Sequence, residues 1–261
     1  MSGKTESLVI IPTYNEKENV AQIIAAVLDL PHDFHILIVD DNSPDGTGQI
    51  VQELQKTHSE SLHLLSRAGK EGLGKAYLAG FAWAVAKRYN YIYEMDADFS
   101  HEPKKLIDLY KACSEGGADM SVGSRYVKGG SVENWPFDRL FLSYGASLYV
   151  RIITGMRVKD PTAGFVCYTR KVLETIDLDK IKFVGYAFQI EMKYNAHKLG
   201  FNIKEVPITF KDREEGTSKM SSNIIGEAIK GVIAMRMSKI SPAVIDSNQA
   251  NNVPSPSADK A

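Results

Sequence analysis

Five short runs of aliphatic and β-branched residues set the limits on what this chain can fold into. They lie at residues 8–11, 35–39, 62–65, 91–95 and 119–123. Helical patterns separate them. Residues 15–30 carry Val20, Ile23, Ile24, Val27 and Leu28 on one face, and Asp45 caps a helix with Ile50, Val51 and Leu54. A long helix follows over residues 73–89, and Pro103 opens another that runs through Cys113. Strands alternating with helices call for a parallel sheet covered on both faces. The expected class is therefore α/β, a mostly parallel sheet with helices on both faces. Ligands of such sheets bind beyond the carboxyl ends of the strands, at a switch in strand order.

Past Tyr126 the pattern changes. Gly129-Gly130 makes a break, residues 138–155 form a strongly apolar helical stretch, residues 164–168 read as a strand and residues 186–199 as a helix. The strand at 203–210 contains Pro207, which marks an edge or a bulge. A polar loop spans 211–222, a final amphipathic helix runs through 221–240, and Pro, Ser, Asn and Asp from Ser241 onward predict a disordered tail. One domain is expected over residues 1–240. With 31 basic and 32 acidic residues the net charge is −1, which gives no footprint for nucleic acid. Cys113 and Cys167 lie too far apart for a metal-ligand pair and read as thiols of a reducing compartment. Neither a signal peptide nor a run of about 20 apolar residues is present, so a cytoplasmic chain is expected.

Four separate segments fall where such a sheet places its ligand. Asp96-Ala97-Asp98 follows the run 91–95. Two carboxylates two residues apart at a strand mouth suit a hard cation, Mg²⁺ or Mn²⁺, that bridges to a diphosphate. In Pro12-Thr13-Tyr14-Asn15-Glu16 the proline stops the strand and Asn15 is placed to cap the helix. There Tyr14 offers a ring to a base or ribose, and Glu16 an acceptor for a ribose hydroxyl. Val39-Asp40-Asp41 ends another strand, and Asp41 is assigned to the base or ribose edge. Gly123-Ser124-Arg125-Tyr126 supplies an arginine whose planar fork suits phosphate, as it also suits a surface salt bridge. His101 is left without a role. Gly69-Lys70-Glu71-Gly72-Leu73-Gly74-Lys75 lacks the spacing of a Walker loop and reads as a tight helix entry near the ligand.

Together these segments resemble the family-2 inverting glycosyltransferases of GT-A fold, and more narrowly the dolichol- or polyprenol-phosphate mannosyltransferases. The resemblance is carried in order by Asp40-Asp41-Asn42-Ser43-Pro44-Asp45-Gly46-Thr47, the Asp96 to Pro103 stretch and Gly123-Ser124-Arg125-Tyr126. It continues through Asp160-Pro161-Thr162-Ala163-Gly164-Phe165, Tyr186-Ala187-Phe188-Gln189-Ile190-Glu191 and the Phe210 to Met220 stretch. It implies transfer of mannose from GDP-mannose to a polyprenyl (dolichyl) phosphate with inversion, and a divalent cation, Mg²⁺ or Mn²⁺. By the same resemblance Pro12, Tyr14, Glu16, Val39 and Asp41 hold the guanosine. Asp96, Ala97 and Asp98 bind diphosphate, metal and mannose, and Arg125, Arg213 and Lys219 meet the phosphates. Asp98, Arg125, Arg213 and Lys219 form the catalytic set. Ser100 stands where some members carry a metal-binding Gln, so it or a water completes the metal shell. Neighbouring alternatives are a UDP-glucose-dependent polyprenyl-phosphate glucosyltransferase and a catalytically silent nucleotide-binding subunit.

A lipid acceptor requires a membrane surface. The stretch from Trp135 to Tyr144 opens an apolar helix that continues through Leu148, Tyr149, Val150, Ile152 and Ile153. Arg139 and Ser143, one turn apart, are the candidates for gripping the lipid phosphate. In the last helix Ile224, Ile225, Ala228, Ile229, Val232 and Ile233 form a stripe beside Lys230, Arg236 and Lys239, which fits a lipid interface and core packing equally. Some family members carry membrane helices and others borrow a small membrane subunit, so docking at the cytoplasmic face of a membrane or such a partner is expected. The acceptor phosphate is already anionic, so no general base is named; Glu191 reads equally as a structural carboxylate.

Overall fold

The computed structural model describes residues 6–212, 222–238 and 240–243, without the side chains of Tyr186 and residues 222–229. The first half alternates as the apolar runs require. It runs β1 (Ser7–Thr13), α1 (Val20–Leu28), β2 (Phe34–Asp40), α2 (Thr47–Gln55), β3 (Leu62–Ser66), α3 (Leu73–Ala86), β4 (Tyr91–Glu94), α4 (Lys105–Ser114) and β5 (Met120–Ser124). The second half adds β6 (Ser131–Glu133), α5 (Phe137–Thr154), β7 (Val166–Thr169), α6 (Arg170–Thr175), α7 (Tyr186–Lys198), β8 (Ile203–Pro207), β9 (Thr209–Lys211) and α8 (Ser222–Met237).

The main sheet has the order β3-β2-β1-β4-β7-β5-β8. It is parallel except for β7, which lies antiparallel between β4 and β5. The chain builds outward from β1 through β2 to β3 and then returns to the other side of β1 with β4, so the switch point lies between β1 and β4. Because β7 is reversed, its first residue, Val166, faces Glu94 and Val122 near the carboxyl ends of β4 and β5. The loop that precedes β7 is thereby delivered to the ligand edge of the sheet.

Strand alternation with both faces covered explains why Leu8 to Ile11 of β1 are all apolar. Leu8 and Ile10 pack into a layer with Tyr77 and Phe81 of α3 and Phe188 of α7, while Val9 and Ile11 pack into the opposite layer with α1 and α4. A third cluster joins Val150 of α5, Ile190 and Tyr194 of α7, and Val232 and Met235 of α8. Pro207 ends β8, the last strand of the sheet, and the chain then leaves to pair β9 with β6.

Four local expectations change. The first helix starts at Val20 rather than near residue 15. Asn15 adopts φ 61 and its N–H donates to the Ser43 hydroxyl, so it caps no helix; the carbonyl of Glu16 instead takes the N–H groups of Asn19 and Val20. Glu16 and Glu18 therefore precede the first turn. The strand at 203–210 is two strands. The N-cap of α2 is Gly46, at φ 97, rather than Asp45, which stands one residue earlier and accepts from the N–H and hydroxyl of Thr47. The tail from residue 244 lies outside the described residues.

In the Gly69 to Lys75 stretch, Gly72 and Gly74 are required by backbone conformation and close packing. Gly72 sits at φ 103, and the Gly74 N–H donates to the Val184 carbonyl at 2.8 Å. A Cβ on Gly74 would stand 2.9 Å from both the Phe183 carbonyl and the Phe188 ring. Gly74→Ala is expected to destabilise the fold by about 1–3 kcal/mol. Gly69→Ala, which meets nothing within 4 Å, is the neutral control in the same thermal melts.

Candidate active site

At the switch point, β4 delivers the carboxylate pair. Asp98 Oδ1 accepts the Ser100 N–H at 3.0 Å across a turn in which Phe99 takes φ 58. The next residues lie against β9: the Lys211 N–H donates to the Ser100 carbonyl, and His101 bridges to Phe210. His101 is buried and stacked on Phe165, with Nδ1 4.0 Å from Asp96 Oδ2. Burial lowers its pKa to about 4, and the charges of Asp98, Arg125 and Asp160 all reach it. It is a neutral ring on which the two sides of the site meet. Ala97 is buried within the turn.

One side of the site is built by β1, β2 and the residue after β3. Pro12 and Val39 are register partners on adjacent strands. The two acids that end β2 divide their work. Asp40 is consumed by structure, accepting from the hydroxyls of Thr13 and Ser43 and from the Ser43 N–H. Asp41 instead faces Arg67, whose Nη1 lies 3.0 Å from Oδ1, both side chains being largely buried. Burial raises the Asp41 pKa, and the Arg67 charge opposes the rise. Tyr14 keeps an exposed ring, with Lys70 Nζ 4.5 Å from its centroid. Glu16 Oε2 accepts from Asn19.

The other side, at Arg125, departs from the surface salt bridge that a strand-end arginine usually makes. Arg125 has a largely buried side chain, and its Nε and Nη2 donate to the two oxygens of Asp160 at 2.7 Å each. Its N–H also donates to Asp160 Oδ2, and Nη2 to the Thr162 hydroxyl. Burial pushes the Asp160 carboxyl up, but the bonds and charge of Arg125 outweigh it, and the net pKa lies below the ordinary value. The backbone at Asp160 is anchored in turn by Glu205, which accepts the N–H groups of Lys159 and Asp160. The Arg125 guanidinium lies over the rings of Tyr126, Trp135 and Phe210.

Arg139 and Ser143 stand nearby on α5. Arg139 Nη1 donates to Asp212 at 2.5 Å, and its guanidinium covers Trp135 at 4.3 Å; Ser143 accepts the Tyr126 hydroxyl at 2.8 Å. Arg213 and Lys219 lie outside the described residues. Glu191 accepts the N–H groups of Lys182 and Phe183, which is a structural task. Arg67, Lys70 and Asp160 carry no signature that would single them out. Each reaches its partner across strands, although Asp160 and Lys70 do lie in segments noted for other reasons.

The residues present fit a divalent cation. Two hard carboxylates are offered, and among the described residues no group of three His, Cys, Asp or Glu surrounds a common point. That donor set suits Mg²⁺ or Mn²⁺, which take one or two carboxylates and fill their remaining positions with phosphate and water.

The family model Glycosyl transferase family 2 matches residues 8–181. A polyprenol monophosphomannose synthase from Mycolicibacterium smegmatis is 49% identical over 223 residues, covering 85% of this chain and 84% of that protein. An undecaprenyl-phosphate mannosyltransferase from Micrococcus luteus is 45% identical over 225 residues, covering 86% and 91%. Among solved structures, glucosyl-3-phosphoglycerate synthase from Mycobacterium tuberculosis, in complex with Mn²⁺, UDP-glucose and glycerol 3-phosphate, aligns with a TM-score of 0.60. The identity is 18%, and the alignment covers 90% of this chain and 79% of that one. A mannosyltransferase from Pyrobaculum calidifontis in complex with GDP-Man and Mn²⁺ aligns with a TM-score of 0.54 at 12% identity, covering 90% and 71%. These structural likenesses bear on the fold, which is that of GT-A glycosyltransferases. With its sheet, its switch-point carboxylates and these relatives, the chain belongs to glycosyl transferase family 2 and is a glycosyltransferase.

Proposed function

We propose that this enzyme transfers mannose from GDP-mannose to a polyprenyl (dolichyl) phosphate, with inversion, giving a polyprenyl β-mannosyl phosphate. One observation carries the reading. At a single sheet edge the Asp96/Asp98 pair follows β4, between the β1 and β2 ends that carry Tyr14 and Asp41 and the β5 end where Arg125 is paired with Asp160. The relatives named above support mannose and a polyprenyl phosphate as the transferred sugar and acceptor.

Asp96 and Asp98, with Ser100 or a water beside them, would hold the cation. Mg²⁺ or Mn²⁺ bound there supplies charge neutralisation to the departing diphosphate. Asp98 is held in place by the Ser100 N–H, so its charge is oriented before the donor binds. Tyr14 packs the base or ribose, and Pro12, Glu16, Val39 and Asp41 complete the guanosine side. Arg125, its charge balanced by Asp160, borders the phosphates in this assignment, and Arg213 and Lys219 join it there. The acceptor phosphate is an anion at neutral pH and needs alignment rather than deprotonation. In-line attack on the α-linked donor then yields the β-linked product. Calorimetry with GDP-mannose and UDP-glucose in the presence of Mg²⁺ or Mn²⁺ tests the donor. Tighter GDP-mannose binding is expected; preference for UDP-glucose would replace mannose by glucose.

The acceptor side faces lipid. Phe137, Phe141, Tyr144, Leu148 and Ile152 recur every three or four residues on α5 and are all exposed, Phe137 to 81% and Ile152 to 71%. Such a continuous apolar stripe is unusual on a water-facing helix and suits docking in the interface of a bilayer. In α8, Val232 and Met235 are buried against α5 and α7, while Ile233 and Met237 are exposed among Lys230 and Arg236. That helix thus serves both packing and surface; Ile224, Ile225, Ala228, Ile229 and Lys239 lie outside the described side chains. Among the described residues no helix is long and apolar enough to cross a membrane. Peripheral attachment at the cytoplasmic face, alone or with a small membrane subunit, completes the proposal. Arg139→Ala is expected to raise the KM for lipid phosphate about ten-fold or more while leaving the KM for GDP-mannose within about two-fold. Equal effects on both substrates would remove Arg139 from the acceptor site.

A further inference from the structure

Beneath the site lies a buried polar chain that none of the roles above uses. Glu94 of β4, two residues before Asp96, and Lys193 of α7 are both fully buried. The Gln189 side chain joins them. Its Nε2 donates to Glu94 Oε2 at 2.7 Å, and its Oε1 accepts from Lys193 Nζ at 3.1 Å. The Tyr168 hydroxyl donates to the other oxygen of Glu94. Lys193 also donates to the Gln189 carbonyl at 3.2 Å and to the Ala163 carbonyl at 2.6 Å, so all three of its protons have acceptors.

Fold stability does not account for this arrangement. Taking a carboxylate and an ammonium out of water costs several kcal/mol for each ion, and a well-packed apolar set of equal volume is often as stable. What apolar side chains cannot do is hold a backbone carbonyl. Ala163 lies in the loop between Asp160 and β7. At Asp160 that loop is fixed by Glu205 and grips Arg125; at Ala163 it is fixed by Lys193. The reversed direction of β7 places the loop at the edge occupied by Asp96 and Asp98.

We propose that Gln189 and Lys193 are positioning residues for sugar transfer: with Glu94 they form a brace that sets the Ala163 carbonyl, and through its loop the Asp160–Arg125 pair, against the strand end bearing Asp96 and Asp98. This inference rests on the reading that Arg125 and the carboxylate pair border the transfer site.

The test compares Lys193→Met with the double variant Glu94→Gln/Lys193→Met. The single change leaves Glu94 buried without its counter-charge and lowers the melting temperature. The double change removes both charges and is expected to recover most of that loss. Its kcat should nevertheless remain about 10–100-fold below wild type, as when outer supporting groups of a catalytic site are removed, with the donor KM little changed. Recovery of kcat together with stability would overturn the proposal. Hydrogen exchange on the full-length protein supplies a readout that does not depend on the donor. In Gln189→Leu, the amides of Asp160 and of residues 162–165 should exchange at least ten-fold faster than in wild type while those of β1 and β2 do not change. Unchanged exchange at Asp160 and residues 162–165 would overturn the proposal. If wild type transfers glucose from UDP-glucose instead of mannose, only the donor reading falls, and the same comparison of variants is made with that sugar nucleotide.

Discussion

Asp98→Ala is expected to reduce mannosyl transfer by about 1,000-fold or more, with a melting temperature close to wild type. The loss corresponds to several kcal/mol of charge stabilisation withdrawn from the departing diphosphate. Asp98 also accepts the Ser100 N–H in a turn where Phe99 sits at positive φ, so alanine loosens the backbone as well as removing charge. Asp98→Asn separates the two effects. Its amide oxygen still accepts that N–H, but the anionic ligand is gone, and most of the activity should go with it. An Asp98→Asn enzyme with more than a tenth of wild-type turnover at saturating Mg²⁺ or Mn²⁺ would count against the metal role and leave Asp98 as a turn residue.

The second large effect concerns stability. Asp160→Ala leaves Arg125 buried without a counter-charge, since the Arg125 side chain is only 9% exposed and that of Asp160 is fully buried. Breaking one side of such a pair costs about 3–5 kcal/mol. For a domain of this size that lowers the melting temperature by roughly 10 °C, read by calorimetry or circular dichroism. The pH dependence has a definite sign. The folded Asp160 pKa lies below its ordinary value of 3.8, so its contribution is complete above that value and fades as pH falls through the folded pKa. Wild type and Asp160→Ala should therefore differ most near neutral pH and converge in strong acid. Replacing both partners by apolar residues, Arg125→Met with Asp160→Leu, should return much of the stability without the activity. A single Asp160→Ala variant that melts with wild type would show that the pair contributes little to the fold.

Much of the scaffold was legible because a parallel sheet buried on both faces calls for mostly apolar residues on both sides of its strands. Residues 8–11, 35–39 and 91–95 could hardly be read otherwise. The direction of β7 was not legible, since a four-residue apolar strand has the same pattern whichever way it runs. That reversal brings Asp160 to Arg125, so the partner of the arginine lay 35 residues away with no local sign of its task. Asn15 has the chemistry of a helix cap, but Ser43 and Thr47 of the neighbouring loop and helix took the N–H groups of Asn15 and Glu16, and the helix began later. Asp40 and Asp41 are identical in type and adjacent in sequence. Only their surroundings, two hydroxyls for one and Arg67 for the other, tell them apart. The apolar character of α5 was plain from composition, whereas which of its residues would be covered depended on α7 and α8. Val150 turned inward, and Phe137, Phe141 and Ile152 remained outside.

The most direct test is transfer itself. Purified enzyme is incubated with GDP-mannose radiolabelled in the sugar, a polyprenyl phosphate in detergent or liposomes, and Mg²⁺ or Mn²⁺, and the products are partitioned between water and organic solvent. A polyprenol-phosphate mannosyltransferase moves the label into an organic-extractable, acid-labile lipid, and does so only with both the cation and the lipid phosphate present. Label that stays in the aqueous phase under every such condition, or that reaches the lipid as readily with Asp98→Ala, would contradict the assignment.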